Sequence, residues 1–425
     1  MNEQKNVILA AVLSFLVIVG WQVFLAPEPP APPPADQTAT DPDGPAAPGA
    51  PGVSAGQPAP EPLSRDAALG AAPRIPIETP SIRGSLSLRG GRIDDLDLAE
   101  YQETLEPGSP DVTLLDPIGA ANPYYAVFGW VPARGAQTGA TPTADTLWEV
   151  ERGDALTPES PVTLRWDNGE GLIFRRTISV DDDYMFTVEQ SVENTTGETL
   201  SLAPYGIVAR HGTPQTINFY ILHEGAVGEL DGVLQEIDYD DMLEFDRDER
   251  EGAPAQSTPV ARNGWLGFTD KYWMTALAAG PDSPFTAVFK SIQTARGPVY
   301  QTDLRHPPVE VGPGETASVS TYAFAGAKET STLREYERTL GIAGFEDAVD
   351  WGWFFFLTKP IFRALMFIQG IVGNMGFSII LLTLFIKAVL FPLAYKSFVA
   401  MSKMKKLQPE MEKIKERAGD DKQKL

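Results

Sequence analysis

The sequence predicts a multidomain membrane protein, with an all-β body outside the bilayer and α-helical membrane segments. Three observations carry that class. Long uncharged apolar runs lie near both ends of the chain, at residues 7–25 and again at residues 364–395, where Lys387 is the single charge. Between them, residues 75–325 read as short alternating runs separated by turn signals, the pattern of a large antiparallel sandwich. Charge is also split along the chain. Residues 1–350 hold 22 basic and 52 acidic side chains, net −30, whereas residues 351–425 hold 12 and 5, net +7. A bilayer between an acidic outside and a basic inside accounts for that split, because Lys and Arg are retained on the cytoplasmic side.

The first apolar run would cover about 28 Å as a helix, close to the hydrocarbon thickness. It is too long for the core of a cleaved signal peptide, and it ends in Trp21-Gln22-Val23-Phe24-Leu25 with no small-residue cleavage site. Residues 1–26 are therefore expected to be a retained anchor. Lys5 and the amino terminus precede it and place the N-terminus in the cytoplasm. Residues 27–74 follow as a Pro-rich tether, with 13 prolines in the 36 positions from 27 to 62 and almost no large apolar side chain to offset ordering.

The body is expected over residues 75–328. Ser85 to Leu88 and Asp95 to Leu98 flank a Gly90-Gly91 turn, and Phe186, Val188 and Val192 share one strand face with Gln190 between. Ala317 to Phe324 alternates after a Gly312-Pro313-Gly314 turn. A body of that size buries a core without disulfides, which suits a chain with no cysteine. Leu333, Tyr336 and Leu340 then switch to helical spacing, so residues 329–350 should be connecting helices.

The second apolar region is broken by Gly373, Asn374 and Gly376. It is read as an interfacial amphipathic helix, residues 351–374, followed by a second span, residues 375–398; one long tilted helix is the alternative. Trp351, Trp353, Lys359 and Arg363 fit anchors in the headgroup zone. Lys387 lies about 11 residues into the span, roughly 16 Å from its outer end. An ionised side chain there costs about 3 kcal/mol unless it reaches water. Thr383, four residues earlier, shares its face. The pair suits a water-filled recess open to the cytoplasm, with snorkelling of Lys387 as the alternative. Pro392 adds a kink. In residues 399–425, Met404, Leu407, Met411, Ile414 and Ala418 trace a coiled-coil seam that needs a partner helix, with Pro409 opening a new helix. A chain truncated within a helical hairpin is the favoured explanation.

Catalytic chemistry is not expected. Three histidines and no cysteine leave little for a metal site, and no phosphate loop, dinucleotide fingerprint or nucleophile elbow occurs. His223-Glu224 is a conceivable acid–base pair but fits a surface loop better, and Asn194-Thr195-Thr196 is too short a match to weigh. Trp265, Tyr272 and Trp273 read as core. Sequence-specific nucleic-acid binding is excluded by the acidic balance.

Residues 373–425, GNMGFSIILLTLFIKAVLFPLAYKSFVAMSKMKKLQPEMEKIKERAGDDKQKL, closely resemble the second span and cytoplasmic segment of the YidC membrane protein insertases (the YidC/Oxa/Alb family). DWGWFFFLTKPIFRALMFIQGIVG resembles their interfacial helix, and NGWLGFTDKYWMTAL at 263–277 is a looser match in the body. The resemblance implies the Gram-negative type, with a periplasmic β-super-sandwich over the region expected to be all-β. It implies insertion and folding of inner-membrane proteins, alone or beside the Sec translocon, with no cofactor or metal. It also implies nascent membrane proteins and the lipid bilayer as partners, and the ribosome or signal-recognition machinery at the basic cytoplasmic segment. In the family a positive groove residue, usually arginine, receives the polar part of a client. By position that is Lys387, with Thr383 as a groove threonine. Lysine keeps the charge but not bidentate carboxylate recognition. A membrane-tethered periplasmic sugar-binding or epimerase-like protein is the alternative.

Overall fold

The computed structural model describes residues 61–133, 140–216 and 222–418, in two units that meet between Val349 and Asp350. The expected anchor at 1–26, residues 27–60 of the expected tether and the last seven residues lie outside the described residues.

The first unit is built from two antiparallel sheets. One runs β1 (Arg74–Glu78), β2 (Ile82–Ser87), β3 (Arg92–Gln102), β5 (Tyr124–Pro132), β10 (Leu200–His211), β18 (Gly297–Arg305), β17 (Phe285–Thr294), β14 (Ala253–Val260) and β13 (Arg247–Asp248). On it, β4 (Asp111–Leu115) pairs with β3 and β19 (Val309–Val311) with β10. The other runs β12 (Val233–Asp238), β11 (Gly225–Leu230), β15 (Gly264–Thr269), β16 (Trp273–Ala279), β20 (Thr316–Ala327), β9 (Met185–Asn194), β8 (Leu172–Val180), β7 (Val162–Asp167) and β6 (Glu149–Arg152). The fold is a large antiparallel β-sandwich. Its core joins side chains from both sheets, such as Ile93, Leu96 and Phe289 with Phe174, Ile178 and Phe268. The period-two text explains this packing. In β8, Leu172, Phe174, Arg176, Ile178 and Val180 are buried while Ile173, Arg175, Thr177 and Ser179 are half-exposed. Gly90 and Gly91 turn β2 into β3 with φ of 74° and 59°, values an L side chain rarely adopts.

Two buried polar side chains link the sheets. Gln190 of β9 donates to the Tyr205 carbonyl of β10 at 3.1 Å. Arg176 of β8 donates to the carbonyls of Gly90 (3.0 Å), Gly91 (2.8 Å) and Phe128, and stacks 4.7 Å from the Trp148 ring centroid. It is 1% exposed, and burial pushes its pKa down to about 10, so it remains charged at neutral pH. Helices α1 (Arg65–Leu69), α2 (Tyr239–Leu243) and α3 (Thr330–Leu340) lie at the margins, and Leu333 and Tyr336 of α3 are buried as their spacing predicts. Gly341 ends α3 at φ 70°.

The second unit holds α4 (Phe355–Val372) and α5 (Met375–Ala418). The apolar region is thus two helices with a joint at Gly373-Asn374. Gly373 adopts φ 69° and its N–H bonds the Gln369 carbonyl at 2.7 Å, closing α4. Asn374 then caps α5, its Oδ1 accepting from the Phe377 N–H at 3.1 Å. The new helix expected at Pro409 is not found, because α5 continues through both Pro392 and Pro409. Each proline removes one i→i−4 bond, and on a helix this exposed the freed carbonyl keeps access to its surroundings.

Candidate functional site

The helical unit turns its apolar side chains outward. Trp353 is 84% exposed and Phe398 74%, with Phe367, Ile371, Phe377, Phe385, Phe391 and Leu393 between them also exposed. Among the described residues, α4 and the 375–409 stretch of α5 are long and apolar enough to cross a membrane. A continuous surface of this kind is stable only against a non-aqueous neighbour.

Two of the four expected anchors come together where α4 begins. The Trp351 ring meets Phe362 edge-on at 5.4 Å, and Lys359 Nζ stands 5.8 Å from the Trp351 centroid. The Thr358 hydroxyl donates to the Trp351 carbonyl at 2.8 Å, fixing the segment ahead of the helix. Arg363 is exposed one turn beyond Lys359, and Trp353 stands apart from this cluster.

Lys387 lies twelve residues after Met375, about 18 Å along α5. It is exposed, and among the described residues it makes no ion pair or hydrogen bond. Its helical neighbours Leu384, Leu390 and Phe391 are exposed and apolar. Thr383 is also exposed, one turn away; its hydroxyl donates to the Ile379 carbonyl at 2.8 Å, which leaves its lone pairs open. Pro392 has no N–H, so the Ala388 carbonyl lacks its intrahelical donor. A hydroxyl, a cation and an unpaired carbonyl thus follow one another in two turns of an otherwise apolar helix. Chemically, such an arrangement offers hydrogen-bonding groups and a positive charge in otherwise apolar surroundings. Asn374 was not foreseen as a cap, although Gly-Asn between two apolar periodic runs is the stop-and-start signal for consecutive helices.

The sandwich gathers no comparable chemistry at the positions singled out from sequence. His223 Nε2 bonds the Ala226 carbonyl at 2.9 Å and its Nδ1 faces Asp238 at 3.2 Å, whereas Glu224 accepts from the Lys271 N–H. The two side chains serve different partners. His306 is buried against the Thr321 hydroxyl at 2.9 Å, and burial holds its pKa down to about 4. Asn194 is fully buried and bonds the carbonyls of Glu198 and Val311, so the short match there is a structural turn. Trp265 is core and Trp273 is half-buried, but Tyr272 is 57% exposed with Lys271 Nζ 4.8 Å from its ring centroid. That corrects the core assignment for Tyr272: it occupies the turn before β16, where the strand alternation has not yet begun. Among the described residues no group of three His, Asp or Glu side chains is placed to hold a metal.

Comparison with known proteins places both units. Residues 74–364 match the family model described as the YidC periplasmic domain, and residues 367–425 match that of the 60Kd inner membrane protein. The membrane protein insertase YidC of Dinoroseobacter shibae is 55% identical, the match covering 100% of this chain and 70% of the relative. That of Jannaschia sp. is 50% identical, covering 100% and 71%. Among solved structures, a galactose mutarotase related enzyme from Lactobacillus acidophilus is similar at 10% identity and a TM-score of 0.39, covering 60% of this chain and 97% of its own. So slight a likeness bears on neither fold nor function. Matched over its whole length by insertase relatives at half identity or better, and by the family models of the periplasmic domain and of the inner membrane protein, the chain belongs to the YidC family of inner-membrane protein insertases.

Proposed function

We propose that this protein integrates and folds inner-membrane proteins by offering a client's polar flank a wet, positively charged recess at Lys387 and Thr383. The observation that carries this reading is the exposed Lys387 about 18 Å into an apolar helix, with no partner among the described residues. An ionised lysine at such depth costs about 3 kcal/mol against hydrocarbon, so it is retained where water or a client group meets it. A recess of this kind shortens the hydrocarbon path that a polar flank must cross. The client's own apolar segment then supplies the driving force, about 25 cal/mol for each Å² it buries. No bond is made or broken.

In this reading the N-terminus is cytoplasmic, residues 27–350 are periplasmic, and α4 lies in the headgroup zone with Trp351, Trp353, Lys359 and Arg363 as anchors. The basic segment after the span faces the cytoplasm. There it is suited to ribosomes or signal-recognition machinery, and the Sec translocon is a partner for longer clients. The sugar-binding alternative gains no acid–base pair from His223 and Glu224, since His223 bonds the Ala226 carbonyl and Asp238 while Glu224 accepts from the Lys271 N–H.

The test is rescue of insertase-depleted cells with the gene carrying Lys, Arg, Ala or Glu at position 387. Insertion of a short single-span client is read by protease protection. Lys and Arg are expected to support insertion, while Ala and Glu lower it about tenfold or more, the equivalent of one lost charge-assisted contact. Equal insertion by all four removes Lys387 from the mechanism.

A further inference from the structure

The acidic body has a recess where arginines outnumber carboxylates. Among the described residues, a cavity of about 270 Å³ is lined by Arg74, Arg89 and Arg92 together with Ser87, Asp94 and Asp145. Ala68, Ala71 and Ala72, from α1 and the turn after it, form a small apolar wall with Pro117 and Ile118. Its parts are held before any ligand arrives. Arg65 at the start of α1 is bound to Asp95 at 2.5 Å, Asp97 at 3.0 Å and Asp116 at 3.3 Å, which ties the helix to the sheet. Asp94 is buried between Arg74 and Arg92, and a register shift between β2 and β3 lets the successive carboxylates Asp94 and Asp95 turn to different arginines. Arg74 is further fixed by Ser85, and Arg92 by the Ala144 carbonyl at 2.9 Å.

Donors remain after these bonds. Arg74 uses Nε and Nη2, and Arg92 uses Nε and Nη1, leaving one guanidinium nitrogen on each. Arg89 is exposed and its guanidinium makes no ion pair or hydrogen bond among the described residues. Two fixed guanidinium edges, one free arginine and a small apolar wall match a tetrahedral oxyanion carried on a short carbon skeleton. We propose that this cavity binds a phosphate group, borne by a small soluble molecule or by a phospholipid headgroup.

The experiment is titration calorimetry on the full chain in maltoside micelles at low salt, which supply no phosphate of their own. Probes are inorganic phosphate and glycerophosphoglycerol, a soluble phosphodiester headgroup, with glycerol as control. Saturable binding of either phosphate probe is expected, with the tighter one identifying the source. Arg89→Glu and Ala71→Glu, both at exposed positions, should weaken it about tenfold or more. Arg152→Glu, on β6 and outside the cavity, should change it less than about twofold. No saturation by either probe, or an equal loss in Arg152→Glu, overturns the proposal.

Discussion

Arg176 and Lys387 are both cations among apolar side chains, and the molecule holds them in opposite ways. Arg176 sits 1% exposed between two sheets, with three carbonyls around its guanidinium and an indole on its face. Lys387 is exposed on a helix of outward-facing Leu and Phe, and among the described residues nothing bonds it. A buried charge bonded through both Nη atoms fixes one packing of the sandwich, whereas the proposed role of Lys387 needs a charge that water and a client can reach. The same contrast runs through the two units. In the sandwich Glu251, Arg305, Lys290 and Asp303 neutralise one another out of water, while the helical unit turns its apolar surface outward and leaves Lys387 without an ion-pair partner among the described residues.

The largest effect expected from breaking this contrast is at Arg176. Arg176→Ala strands three buried carbonyls at about 1–3 kcal/mol each, so a loss of about 4 kcal/mol or more is expected in chemical denaturation followed by tryptophan fluorescence. Arg176→Lys keeps the charge but cannot span all three acceptors, and should recover less than half. The Lys387→Ala variant should leave that transition where it is. A neutral Arg176→Ala would mean that the sheets are not bolted there.

A smaller effect separates the units by pH. His306 titrates at about 4 in the fold against an ordinary 6.5, so below pH 6.5 the unfolded chain takes up a proton that the fold refuses. Its contribution is complete above pH 6.5 and is lost as pH falls towards 4, about 2 kcal/mol of it between pH 7 and 5. Glu251 acts lower. Burial alone would raise it, but the hydrogen bonds and charge of Arg305, with Lys290, hold it down to about 2. Its contribution is present above 4.5 and lost as pH falls through 2. His211 is likewise held down to about 4 by burial, so sandwich stability measured from pH 7 to 5 should decline through both groups, and His306→Gln should remove about half of that decline. An unchanged slope would place the sensitive group elsewhere.

Much of the architecture was legible because its signals are local. Strand alternation marked Phe186, Val188 and Val192, the Gly90-Gly91 pair marked a turn, and two glycines around Asn374 marked a joint between helices. The order of the strands was not legible, since β5 pairs with β10 and β9 with β20 across long stretches of chain. Nor was the role of Arg176, although one signal for it existed: it occupies the inward position of the series Leu172, Phe174, Ile178 and Val180, where a charge needs buried partners. Pro409 misled because a proline marks a helix start only where the preceding turn is already broken. Lys387 and Thr383 stood out as polar positions in an apolar run, but what surrounds them in a bilayer is written in no local pattern.

The most direct test of the wet recess uses the absence of native cysteine. Thr383→Cys and Phe385→Cys, each the single thiol of its chain, lie on opposite faces of α5, about 200° apart. In membrane vesicles, a polar maleimide requires water at the thiol, because the thiolate is the reacting form. The account predicts rapid labelling at position 383 and protection at position 385. Equal protection of both, with labelling restored by detergent, would contradict a water-filled recess on the Lys387 face.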